Sequence, residues 1–207
     1  MSTFPLSLWH WIRRSYLQLI EPMTGWFVRA GISPNALTVM GTAACGASGL
    51  LFATGNIRAG GWTLGLTAFF DVMDGAVARA TGRATVFGAF FDSTLDRVAD
   101  AMLLGGIAYF FSRPGAHYSP AMVGVALVAV SAVQITSYTR AKADALGVDL
   151  KGVGALERPE RITILAAPQA FFGLMWGGWV LRGVVILLAA SAVWTVIQRV
   201  RHVARHA

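Results

Sequence analysis

Residues 69–100 read FFDVMDGAVARATGRATVFGAFFDSTLDRVAD. Two apolar, helix-like segments meet there at Thr81-Gly82-Arg83, with acids at helical spacing on both sides of the break. Asp71 and Asp74 stand three residues apart and Asp92 and Asp96 four apart, so each pair shares one helix face. A short turn makes the segments antiparallel neighbours, which predicts that the four carboxylates converge at one depth. An acid at the centre of a membrane helix costs roughly 2.5–3.5 kcal/mol on the insertion scale, and four together also repel. Packing does not account for such a cluster, whereas a bound cation does.

The flanking sequence sets the medium. The chain has 207 residues, 56% of them hydrophobic, and a mean hydropathy of +0.59, which exceeds what a soluble domain of this size needs. A spanning helix takes roughly 20 apolar residues. Segments of that kind are predicted at 36–54, 61–81, 86–111, 120–145, 159–178 and 180–202, parted by turn-forming clusters such as Thr54-Gly55-Asn56 and Ser112-Arg113-Pro114-Gly115. Ahead of them, Trp9, Ile12, Tyr16, Leu19 and Ile20 recur at helical spacing around Arg13 and Arg14, the pattern of a helix lying in the interface over 3–20. The expected fold is an all-α integral membrane protein. Six transmembrane helices form one bundle over 36–202, preceded by an N-terminal interfacial amphipathic helix, and residues 1–207 make a single membrane domain. The N-terminal MSTFPLSLWHWIRR lacks the long apolar core of a secretory leader, so no processing is expected. Cys45 is the only cysteine, which excludes an intrachain disulfide or a cysteine-based metal site.

The net charge is +7, and its distribution points to membrane orientation and away from nucleic acid. Arg13, Arg14, Arg29, Arg79, Arg83, Arg140, Lys142, Lys151, Arg158, Arg161, Arg199, Arg201 and Arg205 fall on one side, against Arg58, Arg113 and Arg182 on the other. The positive-inside rule makes the richer side cytoplasmic. Both termini and the acids then face the cytoplasm, in a multi-pass protein of the plasma membrane.

Carboxylates are hard oxygen ligands suited to Mg²⁺ or Mn²⁺. Four of them suffice for two ions, and two ions can clamp the attacking and leaving oxygens of a phosphoryl displacement. Gly75, Ala76, Ala78, Gly88 and Ala89 leave room beside the acids, and Arg79, one turn beyond Gly75, can reach a phosphate there.

These residues closely resemble the CDP-alcohol phosphotransferase family. Its motif D-x2-D-G-x2-A-R-x8-G-x3-D-x3-D is matched by Asp71, Asp74, Gly75, Ala78, Arg79, Gly88, Asp92 and Asp96. The resemblance implies transfer of a phosphatidyl group from CDP-diacylglycerol to an alcohol with release of CMP, in a homodimer among membrane lipid. It implies Asp71, Asp74, Asp92 and Asp96 as metal ligands and Asp96 as general base. It also implies that Gly75, Arg79, Thr85 and the stretch Pro34, Asn35, Ala36 and Leu37 bind CDP-diacylglycerol. That stretch reads equally as a helix start, with Ser33 as N-cap and Pro34 at the first helical position.

The segment SYTRAKADALGVDLKGVGALERPERITIL, residues 137–165, concentrates cations beside the acids, and a phosphorylated acceptor would be held there by charge-assisted hydrogen bonds. Within the family, S-Y-x-[KR]-A-[KR]-A followed by E-R-P-E-R is similar to the actinobacterial phosphatidylinositol phosphate synthases, which use inositol phosphate. The resemblance puts the acceptor phosphate on Arg140, Lys142, Arg158, Arg161 and an arginine of the last helix, Arg199 or Arg201. Arg140 and Lys142 exchange the residue types expected of that pattern. A synthase using glycerol phosphate is the nearest alternative. A cation transporter is another, because intramembrane acids also mark ion pathways. Crowding of the acids at one end of the bundle disfavours it. Asp100 continues the Asp92 and Asp96 stripe one turn deeper, where it would pair with Arg97 or support the metal site.

Overall fold

The computed structural model describes residues 21–206. Among the described residues every regular element is a helix: α1 at 21–29, α2 Pro34–Thr54, α3 Ile57–Ala80, α4 Val86–Ser112, α5 Pro120–Ala145, α6 Arg158–Phe172 and α7 Trp179–His206, with a 3-10 turn at Met175–Gly178 before α7. The interfacial helix expected over 3–20 lies outside the described residues.

Local chemistry sets the helix ends. Ser33 accepts a hydrogen bond from the Ala36 amide (3.2 Å) with Pro34 at the first position. Thr85 caps α4 by accepting from the Gly88 amide (3.0 Å), and Ser119 caps α5 by accepting from Met122 (3.3 Å). A reciprocal capping box between Glu157 and Glu160 opens α6, with the Glu157 amide donating to Glu160 Oε2 at 2.8 Å. The fifth predicted segment requires correction. α6 stops at Phe172, because Gly173 adopts φ 55° and the backbone then passes through Trp176 at φ 53° and Gly177 at φ 65°.

α2 packs on α3 and α4, α4 on α5, α5 on α7, and α6 fills the space between α3 and α7. The large core joins Phe52, Leu64, Ile107, Phe111, Leu165, Leu181 and Val185. A smaller cluster of Phe27, Leu37, Met73 and Val77 ties α1 to the start of α2 and the end of α3. Two close approaches fix the bundle. A Cβ on Gly106 would stand 2.1 Å from the Gly49 carbonyl oxygen, and one on Gly61 would stand 2.3 Å from the Ala170 amide nitrogen. Glycine therefore lets α4 touch α2, and α6 touch α3, backbone to backbone. Overpacking typically costs about 1–3 kcal/mol, and here backbone has no rotamer with which to yield. Gly106→Val should lower the melting temperature in detergent and the monodisperse fraction, whereas the same change at Gly105, which meets nothing within 4 Å, should do much less.

Pro34–Thr54, Pro120–Ala145 and Met175–His206 are long and apolar enough to cross a membrane. α3 and α4 are longer than α2 but carry the acids, and α6 has only 15 residues.

Candidate active site

The end of α3, the start of α4, the start of α2 and the start of α6 meet at one end of the bundle. Between the first three lies a cavity of about 220 Å³, lined by Pro34, Asn35, Thr38, Asp74, Gly75, Ala78, Arg79, Arg83, Ala84, Thr85, Gly88, Ala89 and Asp92. Of the residues expected to bind CDP-diacylglycerol, Pro34, Asn35, Gly75, Arg79 and Thr85 line it. Leu37 does not: it is fully buried against Met73 and Val77. Ala36 contributes to the helix cap and is otherwise exposed. The N-termini of α2 and α4 both open on this cavity, and their free amides favour a phosphate. Arg79 folds back over Gly75, where a Cβ would meet its Nη1 at 3.2 Å, and a Cβ on Gly88 would meet Thr85 Oγ1 at 3.2 Å. Both glycines hold the cavity open between helices that a side chain would otherwise fill.

The four motif aspartates are partly buried and form two groups. Asp74 and Asp92 face the cavity, where Thr38 Oγ1 donates to Asp74 Oδ2 at 2.9 Å. Asp71 and Asp96 are bridged by one guanidinium: Arg158 Nη1 lies 2.7 Å from Asp71 Oδ2 and 2.8 Å from Asp96 Oδ1. Among the described residues no three acids already form a ligand cage. The donor set nevertheless fits a divalent cation. Oxygens from α3 and α4 already reach a single cationic nitrogen, all four donors are carboxylates, and a hard ion takes such ligands.

Arg158, assigned from sequence to the acceptor phosphate, thus sits among the acids. Arg161 follows it, with Nη2 3.8 Å from Asp100 Oδ2. Asp100 is buried and lies 3.5 Å from Arg158 Nε, so its partners come from α6, and Arg97 turns instead to Asp96 at 3.5 Å. Arg199 donates from Nε to the Val153 carbonyl (3.1 Å) and from Nη1 to the Thr136 carbonyl, which anchors the loop before α6. Arg140 and Lys142 are exposed at the end of α5, and no ion pair joins them to the acids. Thr38 and Arg83 had not been anticipated. Thr38 stands one turn after Pro34, on the same face of α2, which is the signal that could have found it.

Fold and site together define a membrane-embedded transferase that handles phosphate groups at one end of a helical bundle. Residues 31–197 match the family model for CDP-alcohol phosphatidyltransferase, and the chain belongs to that CDP-alcohol phosphotransferase family. It is 37% identical over 192 residues to phosphatidylinositol phosphate synthase of Mycobacteroides abscessus, covering 92% of this chain and 86% of that one. It is 34% identical to archaetidylinositol phosphate synthase of Methanothermobacter thermautotrophicus, covering 93% and 96%. Crystal structures of Mycobacterium tuberculosis phosphatidylinositol phosphate synthase are similar in fold. The form with CDP-DAG bound has TM-score 0.81 at 32% identity, covering 90% of this chain and 94% of that one. The complex with manganese and citrate has TM-score 0.80 at 33% identity, covering 89% and 88%.

Proposed function

We propose that this enzyme transfers the phosphatidyl group of CDP-diacylglycerol to inositol phosphate, giving phosphatidylinositol phosphate and CMP. The observation that carries the reading is the meeting of the α3 and α4 aspartates with Arg158 and Arg161 of α6 at one end of the bundle. The names of the relatives support the acceptor, for they differ in the lipid and agree on inositol phosphate.

In this reading the donor's diphosphate enters the cavity at the N-termini of α2 and α4, beside Arg79. Asp71, Asp74, Asp92 and Asp96 would hold Mg²⁺ or Mn²⁺, two ions on the count of carboxylates, and when bound the metal would supply charge stabilisation to the oxygens around the reacting phosphorus. Asp96 takes the proton of the acceptor hydroxyl. The acceptor oxygen bonds to the phosphatidyl phosphorus, and the bond to the CMP oxygen breaks. Arg161, with Arg158, Arg140 and Lys142 around the same end, attracts the acceptor's phosphate.

Six spans follow if α3, α4 and α6 cross beside the three more apolar helices. α6 covers only about 22 Å at 1.5 Å per residue, so the turn at Met175–Gly178 completes its crossing. Both termini and the site then face the cytoplasm at the plasma membrane, and the family resemblance favours a homodimer.

Purified protein supplied with CDP-diacylglycerol, Mg²⁺ and a panel of acceptors tests this by CMP release. Inositol phosphate should be used, and unphosphorylated inositol should not. Arg161→Ala should raise the acceptor KM about tenfold or more, the equivalent of one charge-assisted hydrogen bond, and scarcely alter the KM for CDP-diacylglycerol. Equal use of inositol would overturn the acceptor assignment. Preference for glycerol phosphate would make this a glycerol phosphate enzyme.

A further inference from the structure

Arg158 occupies the place where a cation is wanted. Its Nη1 touches one oxygen of Asp71 and one of Asp96, at 2.7 and 2.8 Å. A metal ligated by those oxygens and a guanidinium within hydrogen-bond distance of them would be like charges a few ångströms apart, which repel in this partly buried site more than they would in bulk water. The two cannot share the position. The α6 backbone is held by its capping box, so the side chain is what can yield.

The structure provides somewhere for it to go. Asp100 lies on the far side of the guanidinium, buried, with Oδ1 3.5 Å from Arg158 Nε. Asp100 Oδ2 and Arg158 Nε are both buried without a hydrogen-bond partner. A small cavity of about 30 Å³, walled otherwise by apolar side chains such as Leu103, Leu165 and Leu188, borders Asp100, Arg158 and Arg161. The pair is therefore close and underused, with slack beside it for a small shift of the guanidinium.

We propose that Arg158 and the catalytic metal exchange places between Asp71 and Asp96, and that Asp100 is a positioning residue that retains the displaced guanidinium where it meets the acceptor's phosphate. This rests on the function proposed above. The charges explain the direction of the coupling. Without metal, Arg158 and Arg161 stand against Asp71, Asp96 and Asp100. Once metal neutralises Asp71 and Asp96, the two guanidiniums face Asp100 alone, and the surplus positive charge calls for an anion. Metal thus creates the acceptor site, and linkage requires the acceptor to tighten the metal by the same factor.

The test uses the full chain in detergent, with Mn²⁺ titrated by the spin-resonance signal of the free ion and inositol phosphate binding followed by calorimetry. Wild type should bind inositol phosphate about tenfold tighter with Mn²⁺ than without, a coupling of ordinary size. Arg158→Gln should bind Mn²⁺ about tenfold tighter than wild type, because no charge-assisted pair has to be broken first, and it should lose the coupling. Arg158→Lys, whose shorter point charge cannot bridge both acids, should shift Mn²⁺ affinity in the same direction and serves if the Gln variant does not fold. Asp100→Asn should raise the acceptor KM and weaken Mn²⁺ binding, because the displaced guanidinium loses its second anchor, while kcat holds at saturating Mn²⁺ and acceptor, a pattern that general loosening of the bundle would not give. Unchanged or weaker Mn²⁺ binding in folded Arg158 variants, or acceptor binding indifferent to Mn²⁺ in wild type, would overturn the exchange. If wild type with Mn²⁺ binds no inositol phosphate at all, the acceptor assignment fails, and the Mn²⁺ affinities of the Arg158 variants still decide the exchange.

Discussion

Asp92→Asn should reduce CMP release to the level left by excess chelator, a fall of at least about 10²-fold, the scale on which a lost transition-state charge contact is felt. Asp92 is the clearest of the four positions at which to ask. It lines the cavity between α2, α3 and α4 and takes part in no ion pair among the described residues, so an isosteric amide removes a charge without orphaning any of those partners. Asp71→Asn should do the same to activity but also weakens the hold on Arg158, so its stability must be followed separately. Folding should survive in both, because each substitution relieves repulsion among acids that share one end of the bundle, and the melting temperature of the Asp92 variant should hold or rise. Chelator and substitution are to be compared in one CMP-release assay, with Mg²⁺ or Mn²⁺ restored afterwards. Full activity in excess chelator would remove the metal from the mechanism, and an Asp92→Asn enzyme as active as wild type would remove that residue from the site.

Much of the site was legible because it is local. Spacing of three and four residues places Asp71 with Asp74, and Asp92 with Asp96, on single helix faces whatever the rest of the bundle does. The caps at Ser33, Thr85 and Ser119 are likewise properties of adjacent residues, which is why α4 and α5 begin where the sequence predicts. Pro34 and Asn35 illustrate that two readings of one segment need not compete, since the same turn caps a helix and lines the cavity.

Other features depended on distance or on backbone angles that hydropathy does not encode. Arg158 reaches Asp71 from 87 positions further along the chain, and nothing in E-R-P-E-R distinguishes an arginine aimed at a phosphate from one aimed at carboxylates. Asp100 was expected to pair with Arg97 or to support the metal site; three residues apart the two could meet, yet Arg97 turns to Asp96 and α6 supplies the partners of Asp100 instead. Leu37 belongs to a motif-like stretch but takes the inward face of α2. The fifth segment was drawn through FFGLMWGG because its apolar character is unbroken there, whereas the chain leaves the helix at Gly173 through left-handed angles. Among the described residues three helices are long and apolar enough to cross a membrane, because the charges on α3 and α4 lower their apolar average and α6 has only 15 residues.

Asp96→Asn should lower kcat by roughly 10²–10⁴-fold, the usual contribution of a general base, while the KM for CDP-diacylglycerol stays close to wild type. The side chain stands apart from the donor cavity, between Arg158 at 2.8 Å and Arg97 at 3.5 Å, on the side from which α6 would present the acceptor. An amide keeps the shape and one acceptor oxygen but cannot take a proton from the acceptor hydroxyl. Asp96 is also expected among the metal ligands, so Mn²⁺ affinity has to be measured in the same variant. If the defect is one of metal binding, raising Mn²⁺ restores turnover; if it is one of proton transfer, saturating Mn²⁺ leaves kcat low. Loss of donor binding without a separate rate defect would contradict the assignment, and so would full rescue by metal. The neighbouring Asp92→Asn variant provides the contrast, for there a metal defect is the whole expectation, and the two aspartates one turn apart on α4 should separate along that line.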